Sequence, residues 1–377
     1  MSNYHPTILK SIVFFSITLT IFLLAIFYFD FRDENGYLVK PFTRTDSGDY
    51  DFYYFSFLKF ISEDFSIRQH LNSSLSLLVS SPFDSALSQN FYTKFWLSGP
   101  ILPFLYHVFG YFNNQIFIFF LYMFFLCFAN HLWALSLSNS RLTHFLIFLL
   151  PAPVFFSQHI SSEIPFYFLF SIFYLLYSKF FDTRSLQEYF YLILVTLLIG
   201  LLRPNVLNLI PLLIVLLYFA KFNIWHKFFF SLMLLSFFAL FLIYFYPYIM
   251  VSKLHSGQFT YFNESVELIL SGFYGYIPGL FKLILYKILY FTGVRPSYSS
   301  VFDIAQFVKL IPSIFFLLGF IYVFFKGSKK DIILIVFISF PVLYGPAQDR
   351  YNLILEPILL FYGLKFFTSN FQKKKIQ

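Results

Sequence analysis

Charged residues are scarce in this chain. They make up 12% of its 377 residues, whereas soluble domains carry about 25%. Hydrophobic residues account for 59%, and the mean hydropathy is +0.72. The shortage of charge excludes an ordinary soluble domain and predicts an integral membrane protein.

Cysteine is almost absent as well. The one cysteine, Cys127, lies in an apolar run, so the chain can build neither a disulfide framework nor a thiolate zinc site. The sequence contains no glycine-rich phosphate loop. We also find no internal repeat with a period of about 20 to 50 residues and no low-complexity linker. We therefore interpret residues 1–377 as one transmembrane domain.

The net charge of +8 would suggest a nucleic-acid partner in a soluble protein. Here the Lys and Arg residues fall in short connections between apolar segments, which is the pattern of cytoplasmic loops. Lys10, Arg141, Lys179, Lys221 and the Lys326–Lys330 group all fall on one side of the predicted topology. We therefore expect membrane lipids as partners and no nucleic acid.

The hydrophobic pattern predicts an all-α, polytopic membrane protein with about ten transmembrane helices. Two outer loops, at about 30–97 and 251–301, should contain helices that lie in the membrane interface, at Tyr50–Ile61, Leu71–Leu78 and Val266–Phe291. The predicted spans are Ile8–Phe29, Gln115–Leu137, Phe145–Phe156, Ile164–Tyr177, Tyr189–Leu202, Val206–Phe219, Phe228–Met250, Ile304–Phe325, Ile332–Tyr344 and Tyr351–Phe367.

The opposite, outer face of this topology collects a different set of polar residues. Ionisable groups at membrane depth are costly unless they face a cavity or one another. Their common sidedness therefore predicts a polar site on the outer face. The set consists of Asp46, Asp49, Asp51, His159, Glu163, Arg203, Asp349 and Arg350.

The segment from Thr45 to Asp51 holds three of these carboxylates within six residues, shortly after the first span. No His or Cys lies beside them to complete a metal set, so the cluster is typical of a general base or a cation site. A structural interpretation stays open, because Asp46 can cap a helix whose first turn contains Asp49.

The other outer residues also have structural alternatives. Glu163 can be a first-turn acid ahead of Pro165, His159 a solvated loop residue, and Arg203 an anchor to lipid head groups. The stretch Gln348-Asp349-Arg350-Tyr351 opens the last predicted span. The guanidinium of Arg350 can bind a phosphate through a planar fork that lysine lacks.

The order of these motifs resembles a family. An Asp-x-x-x-Tyr follows the first span, and Gly99-Pro100-x-x-Pro103 leads to the second. A Glu-x-Pro starts one later span, an Arg-Pro closes another, and an Arg-Tyr opens the last. This layout is similar to that of the GT-C type membrane glycosyltransferases, which include bacterial relatives of the protein O-mannosyltransferases and aminoarabinose transferases. Many relatives add a soluble outer domain after the last span, where this chain has a lysine tail.

The resemblance implies an enzyme of the bacterial inner membrane, with its active site on the outer face. It moves a sugar from a polyprenyl-phosphate donor to a hydroxyl of a lipid, glycan or protein acceptor. Asp46 corresponds to the catalytic base, with Asp49 as the second candidate. By the same resemblance, Arg203 and Arg350 correspond to positively charged groups near the donor phosphate, and Tyr50 belongs to the motif of Asp46. The outer-face position of His159, Glu163, Asp349 and Tyr351 adds them as further candidate substrate contacts. No cofactor follows from the motifs, and a divalent cation stays an open option.

The residues alone also fit two other functions. A polymerase or ligase acting on a diphosphate-linked glycan would share the outer arginines, but its first large outer loop should be basic and not acidic. A flippase or transporter should carry charges or broken helices near mid-membrane. The central parts of these spans are almost free of charge.

The first prediction concerns Asp46. Asn caps a helix about as well as Asp but cannot accept the proton, so Asp46→Asn should reduce sugar transfer by about 10²-fold or more while donor binding persists. Transfer rates and donor affinity of the purified protein measure this. Transfer near the wild-type rate, together with a loss of thermal stability in Asp46→Ala, would assign Asp46 to capping.

Overall fold

A computed structural model describes residues 115–137, 141–148, 163–203, 205–256, 271–293, 304–344 and 353–374, together with residues 150, 153 and 267. Every secondary-structure element in these ranges is helical. The all-α prediction is confirmed to that extent. The first predicted span, both predicted helices of the first outer loop and the segment around Asp46 lie outside the described residues.

The helices are numbered in chain order within the described part of the chain. Two of them have the bounds predicted from hydropathy, because each apolar run there is flanked by polar or helix-breaking residues. The helices are α1 (Gln115–Leu137), α2 (Arg141–Phe148), α3 (Glu163–Thr183), α4 (Leu186–Gly200), α5 (Val206–Phe219), α6 (Ile224–Ser256), α7 (Phe273–Phe291), α8 (Ile304–Lys326), α9 (Lys329–Tyr344) and α10 (Glu356–Lys374).

Two of these helices contain stretches long and apolar enough to cross a membrane: Glu163–Thr183, which is α3, and Ile224–Phe245 within α6. At 1.5 Å per residue, 22 residues extend for about 33 Å, which exceeds the roughly 30 Å of a hydrocarbon core. Shorter apolar helical stretches occur at Leu121–Leu137, Leu186–Gly200, Val206–Phe219 and Leu310–Lys326. The larger number of about ten spans stays a prediction.

Several helix bounds differ from the prediction. Within the segment predicted as Phe145–Phe156, α2 starts at Arg141 and ends at Phe148, and Leu150 is not helical, because a residue that precedes a proline, here Pro151, disfavours the helical region. Helix α6 continues to Ser256, into the predicted second outer loop, because no glycine or proline interrupts it after Pro247.

Two further helices differ from the prediction in their bounds. In the segment predicted as Val266–Phe291, Glu267 is helical, but α7 starts at Phe273, since Gly272 has a φ of +109°, which breaks a right-handed helix. Helix α10 starts at Glu356 and not at Tyr351. Pro357 lies in its first turn, where the missing N–H of proline costs no intrahelical hydrogen bond.

The chain divides into two compact units, and among the described residues the division falls between Val206 and Leu207. The first unit contains α1 to α4 and the second α5 to α10. In the first, α3 packs against both α1 and α4. The rings of Trp133 on α1 and Tyr174 on α3 lie 4.6 Å apart, and the Tyr167 hydroxyl donates to Asn130 Oδ1 over 2.8 Å in the buried interface.

Helices α3 and α4 form a hairpin with a two-residue connection. Arg184 takes a left-handed φ of 53°, and Ser185 caps α4 by accepting a hydrogen bond from the Glu188 amide. Because so short a connection makes neighbouring helices antiparallel, the start of α3 and the end of α4 lie at the same end of the hairpin. The buried rings of Phe180 and Tyr189, 5.6 Å apart, pack beside the turn.

In the second unit, α8 and α10 cross at two glycines. A Cβ built on Gly319 would collide with the Leu359 carbonyl of α10 and lie 3.0 Å from the Gly363 nitrogen. A Cβ on Gly363 would collide with the Phe315 carbonyl of α8. The two backbones therefore touch at a distance that only glycine allows, as at close helix crossings in membranes.

The turn between α8 and α9 is held by a network of side-chain hydrogen bonds. Ser328 Oγ donates to Asp331 Oδ2 over 2.6 Å and accepts from the Asp331 amide over 3.3 Å, which caps α9. The Tyr362 hydroxyl on α10 donates to the same Oδ2 over 2.7 Å and accepts from the Ser328 amide over 2.9 Å. Tyr362 thereby fastens α10 to the turn.

The glycine crossing gives the second prediction. Gly319→Ala or Gly363→Ala should lower the melting temperature of the purified protein by several degrees or prevent its accumulation, because overpacking costs about 1–3 kcal/mol. Ile321→Ala, on an exposed face of α8 (Ile321 is 47% exposed), is the matched control and should change stability little. Equal stability of all three variants would refute the close crossing.

Candidate functional site

The ends of α3 and α4 carry the two predicted site residues that the structure describes. Glu163 is the first residue of α3, and Arg203 follows the last turn of α4, where its amide donates to the Ile199 carbonyl over 2.7 Å. The antiparallel hairpin brings these residues together although 40 positions separate them.

Their side chains form an ion pair. Arg203 Nη2 donates to Glu163 Oε1 over 3.0 Å, and the side chains are 13% and 5% exposed. The guanidinium carbon also lies 5.5 Å from the centroid of the Phe166 ring, one turn into α3, which is within the range of a cation–π contact. A carboxylate and an aromatic face thus hold Arg203 from two directions.

The pair keeps a largely buried guanidinium at the end of an apolar helix hairpin. Breaking a buried pair from one side strands the remaining charge, at a cost of about 3–5 kcal/mol. A guanidinium has five N–H donors, and Glu163 is the one described residue that accepts a hydrogen bond from that of Arg203. The remaining donors are suited to an anion with several oxygens, such as a phosphate.

The other predicted site residues lie outside the described residues, so their placement stays a prediction. These are Asp46, Asp49, Tyr50, His159, Asp349, Arg350 and Tyr351. Within the described ranges, no group of three His, Cys, Asp or Glu side chains could hold a metal ion. The Asp46 cluster also lies outside the described residues, so a cation site there stays a prediction.

Sequence reasoning treated Glu163 and Arg203 as separate outer residues and missed their pairing. A signal was present: Glu163 stands two residues before Pro165 and Arg203 one before Pro204, so both mark helix ends. Equal sidedness and an intervening short turn predict proximity. The contact itself depends on the relative rotation of α3 and α4, which hydropathy does not define.

Among the described residues, three further acidic or basic side chains are buried without having been predicted: Lys287, Asp331 and Glu356. Burial lowers the pKa of the Lys287 ammonium to about 8. Asp331 belongs to the turn network described above, and the Ser328-x-x-Asp331 spacing is a capping pattern visible in the sequence. Glu356 opens α10, where the helix dipole favours an acid. We interpret these three residues as structural and not as members of the candidate site.

No family model matches the chain, and no curated protein or solved structure matches it. The similarity to GT-C type glycosyltransferases therefore depends on the motif order alone.

The ion pair gives the third prediction. Glu163→Gln and Arg203→Met should each lower the melting temperature, because each leaves one buried charge unpaired. The double variant should lose less than the sum of the two, with a coupling energy of about 1–3 kcal/mol.

Thermal unfolding of the full-length protein in detergent measures this double-mutant cycle. Arg184→Gln, at the exposed opposite end of the hairpin, is the control. Additive losses would show that the two side chains do not interact.

Proposed function

We propose that this chain is an integral membrane glycosyltransferase of the GT-C type. It transfers a sugar from a polyprenyl phosphate to an acceptor hydroxyl on the outer face of a bacterial inner membrane. The observation that carries the proposal is the Glu163–Arg203 ion pair. Two residues chosen from the sequence as members of one outer-face site come into contact at a helix end.

The surface of α6 supports membrane insertion. Seven large apolar side chains within residues 224–245 of this helix are each more than half exposed: Ile224, Trp225, Phe228, Phe229, Leu232, Leu235 and Leu240. In water, so long an apolar surface would favour aggregation. In a bilayer the same surface contacts acyl chains, which removes the penalty.

The chemistry needs a base on one side of the anomeric carbon and positive charge on the other. In the proposed reaction, the Asp46 carboxylate takes the proton from the acceptor hydroxyl, whose oxygen bonds to the anomeric carbon. The bond from that carbon to the phosphate oxygen breaks, and polyprenyl phosphate leaves with the electron pair. Single displacement by this route inverts the anomeric centre.

In this scheme Arg203 stabilises the charge on the leaving phosphate. Positive groups held in place before the reaction lower the barrier because they need no reorganisation. Glu163 and the Phe166 ring supply that fixation for Arg203. The location of the pair at a helix end, and not at mid-helix, favours an interfacial reaction over transport through the membrane.

The fourth prediction tests donor binding. In vesicles containing the full-length protein, labelled polyprenyl-phosphate hexoses and pentoses should release polyprenyl phosphate in the presence of acceptor. Arg203→Lys keeps the charge but loses the planar fork. It should raise the KM for the donor roughly tenfold, the scale of one charge-assisted hydrogen bond, and leave the KM for the acceptor unchanged. Arg184→Lys is the matched control.

Three outcomes contradict the proposal. An unchanged donor KM in Arg203→Lys would reduce Arg203 to a structural residue. Turnover of only diphosphate-linked oligosaccharides would indicate a polymerase or ligase. Movement of a lipid-linked sugar across the bilayer without transfer would indicate a flippase.

A further inference from the structure

The turn between α8 and α9 carries a cluster of lysines, and side-chain hydrogen bonds hold its backbone in place. Lys326 ends α8 and Lys329 and Lys330 begin α9. Lys326 and Lys329 are exposed. A fourth lysine, Lys365 on α10, is exposed and lies near the same turn. Its Nζ is 5.6 Å from the centroid of the Tyr362 ring, whose hydroxyl bonds to Ser328.

Two of these lysines lie in the first turn of a helix, where the helix dipole disfavours positive charge. The first turn of a helix carries a partial positive charge, so Lys329 and Lys330 at the start of α9 add repulsion. Asp331 provides the acid of this turn, but it is buried, and its carboxylate accepts hydrogen bonds from Ser328 and Tyr362. A positive field is thus left on the outside of the turn, against local preference, which is typical of a binding surface.

The surface beside the lysines is aromatic. Phe325 is 78% exposed and Phe324 43% exposed, immediately before Lys326 in the sequence. Aromatic rings next to lysine ammonium groups match the boundary between acyl chains and head groups. Nucleic acid or a soluble acidic protein would account for the lysines but not for these exposed rings.

Two sets of contacts fix the turn that carries the lysines. Tyr362 binds both Ser328 and Asp331, and the glycine crossing joins α8 to α10. Lys365 Nζ also lies 4.2 Å from the centroid of the Phe361 ring, which restrains it. Little conformational entropy would be lost when such a surface binds a ligand.

From these observations we infer that the α8–α9 turn, with Lys326, Lys329 and Lys365, is a docking surface for the head groups of anionic phospholipids. The phosphates bind the ammonium groups, and the rings of Phe324 and Phe325 enter the acyl boundary. The inference rests on the membrane location of the chain and not on its being a transferase. It adds a selective lipid contact distant in sequence from the Glu163–Arg203 pair.

The fifth prediction uses the full-length protein in mixed micelles. Titration with phosphatidylglycerol should raise the melting temperature, because a ligand that binds the folded state stabilises it, whereas phosphatidylcholine should not. Lys326→Gln with Lys329→Gln should weaken the apparent affinity for phosphatidylglycerol roughly 10- to 30-fold, from about 1 kcal/mol for each lysine. Salt at 0.5 M should have a similar effect.

Lys179→Gln with Lys221→Gln removes the same charge from two exposed lysines elsewhere and should leave the affinity within about twofold, since binding depends on the cluster. Lys326→Arg with Lys329→Arg retains both charges and should keep the lipid preference. This variant controls for a folding defect caused by substitution at these positions. An equal loss in the dispersed pair would overturn the inference, as would equal protection by phosphatidylcholine. Protection by inorganic phosphate or by a soluble polyglutamate peptide as strong as that by the lipid would also overturn it.

Discussion

Apolar side chains cover the outward faces of the described helices as well as their inward faces. Trp225 and Phe228 on α6 are as hydrophobic as Phe170 and Phe173 in the interior of α3, yet the first two are largely exposed and the last two fully buried. Hydrophobicity alone therefore cannot specify which face of a helix meets its neighbour. That choice depends on a small number of directional and steric contacts, which are hydrogen bonds, ring contacts, an ion pair and one close approach of two backbones.

In the first unit, the deciding contacts are the Tyr167–Asn130 hydrogen bond, the Trp133–Tyr174 ring contact and the Glu163–Arg203 ion pair. The first two set the rotation of α3 against α1, and the third closes the hairpin of α3 with α4. The ion pair also determines how Arg203 can act, because it fixes one edge of the guanidinium. The same bond thus serves the packing of the hairpin and the proposed chemistry, which explains why a charge is tolerated there.

In the second unit, steric fit has the corresponding role. Gly319 and Gly363 let α8 and α10 touch through their backbones, and the Ser328, Asp331 and Tyr362 network connects the next turn to α10. Because the acid of that network faces inward, the lysines of the same turn keep their charge toward the surroundings. A capping arrangement that stabilises α9 thereby shapes a basic surface.

The sequence by itself determined the helical class and most helix positions, including the two stretches long and apolar enough to cross a membrane, since these depend on local composition and on runs of apolar residues. It also picked out Glu163 and Arg203 as polar residues at helix ends. The helix bounds predicted from hydropathy were wrong where a local backbone effect outweighed it, as at Gly272 before α7 and at the prolines after α2. Only the tertiary structure decided that Glu163 meets Arg203, that Gly319 meets Gly363, and that Asp331 turns inward to Tyr362. Each of these contacts depends on the rotation and separation of two helices, which a chain apolar on every helix face does not encode in its hydrophobic pattern.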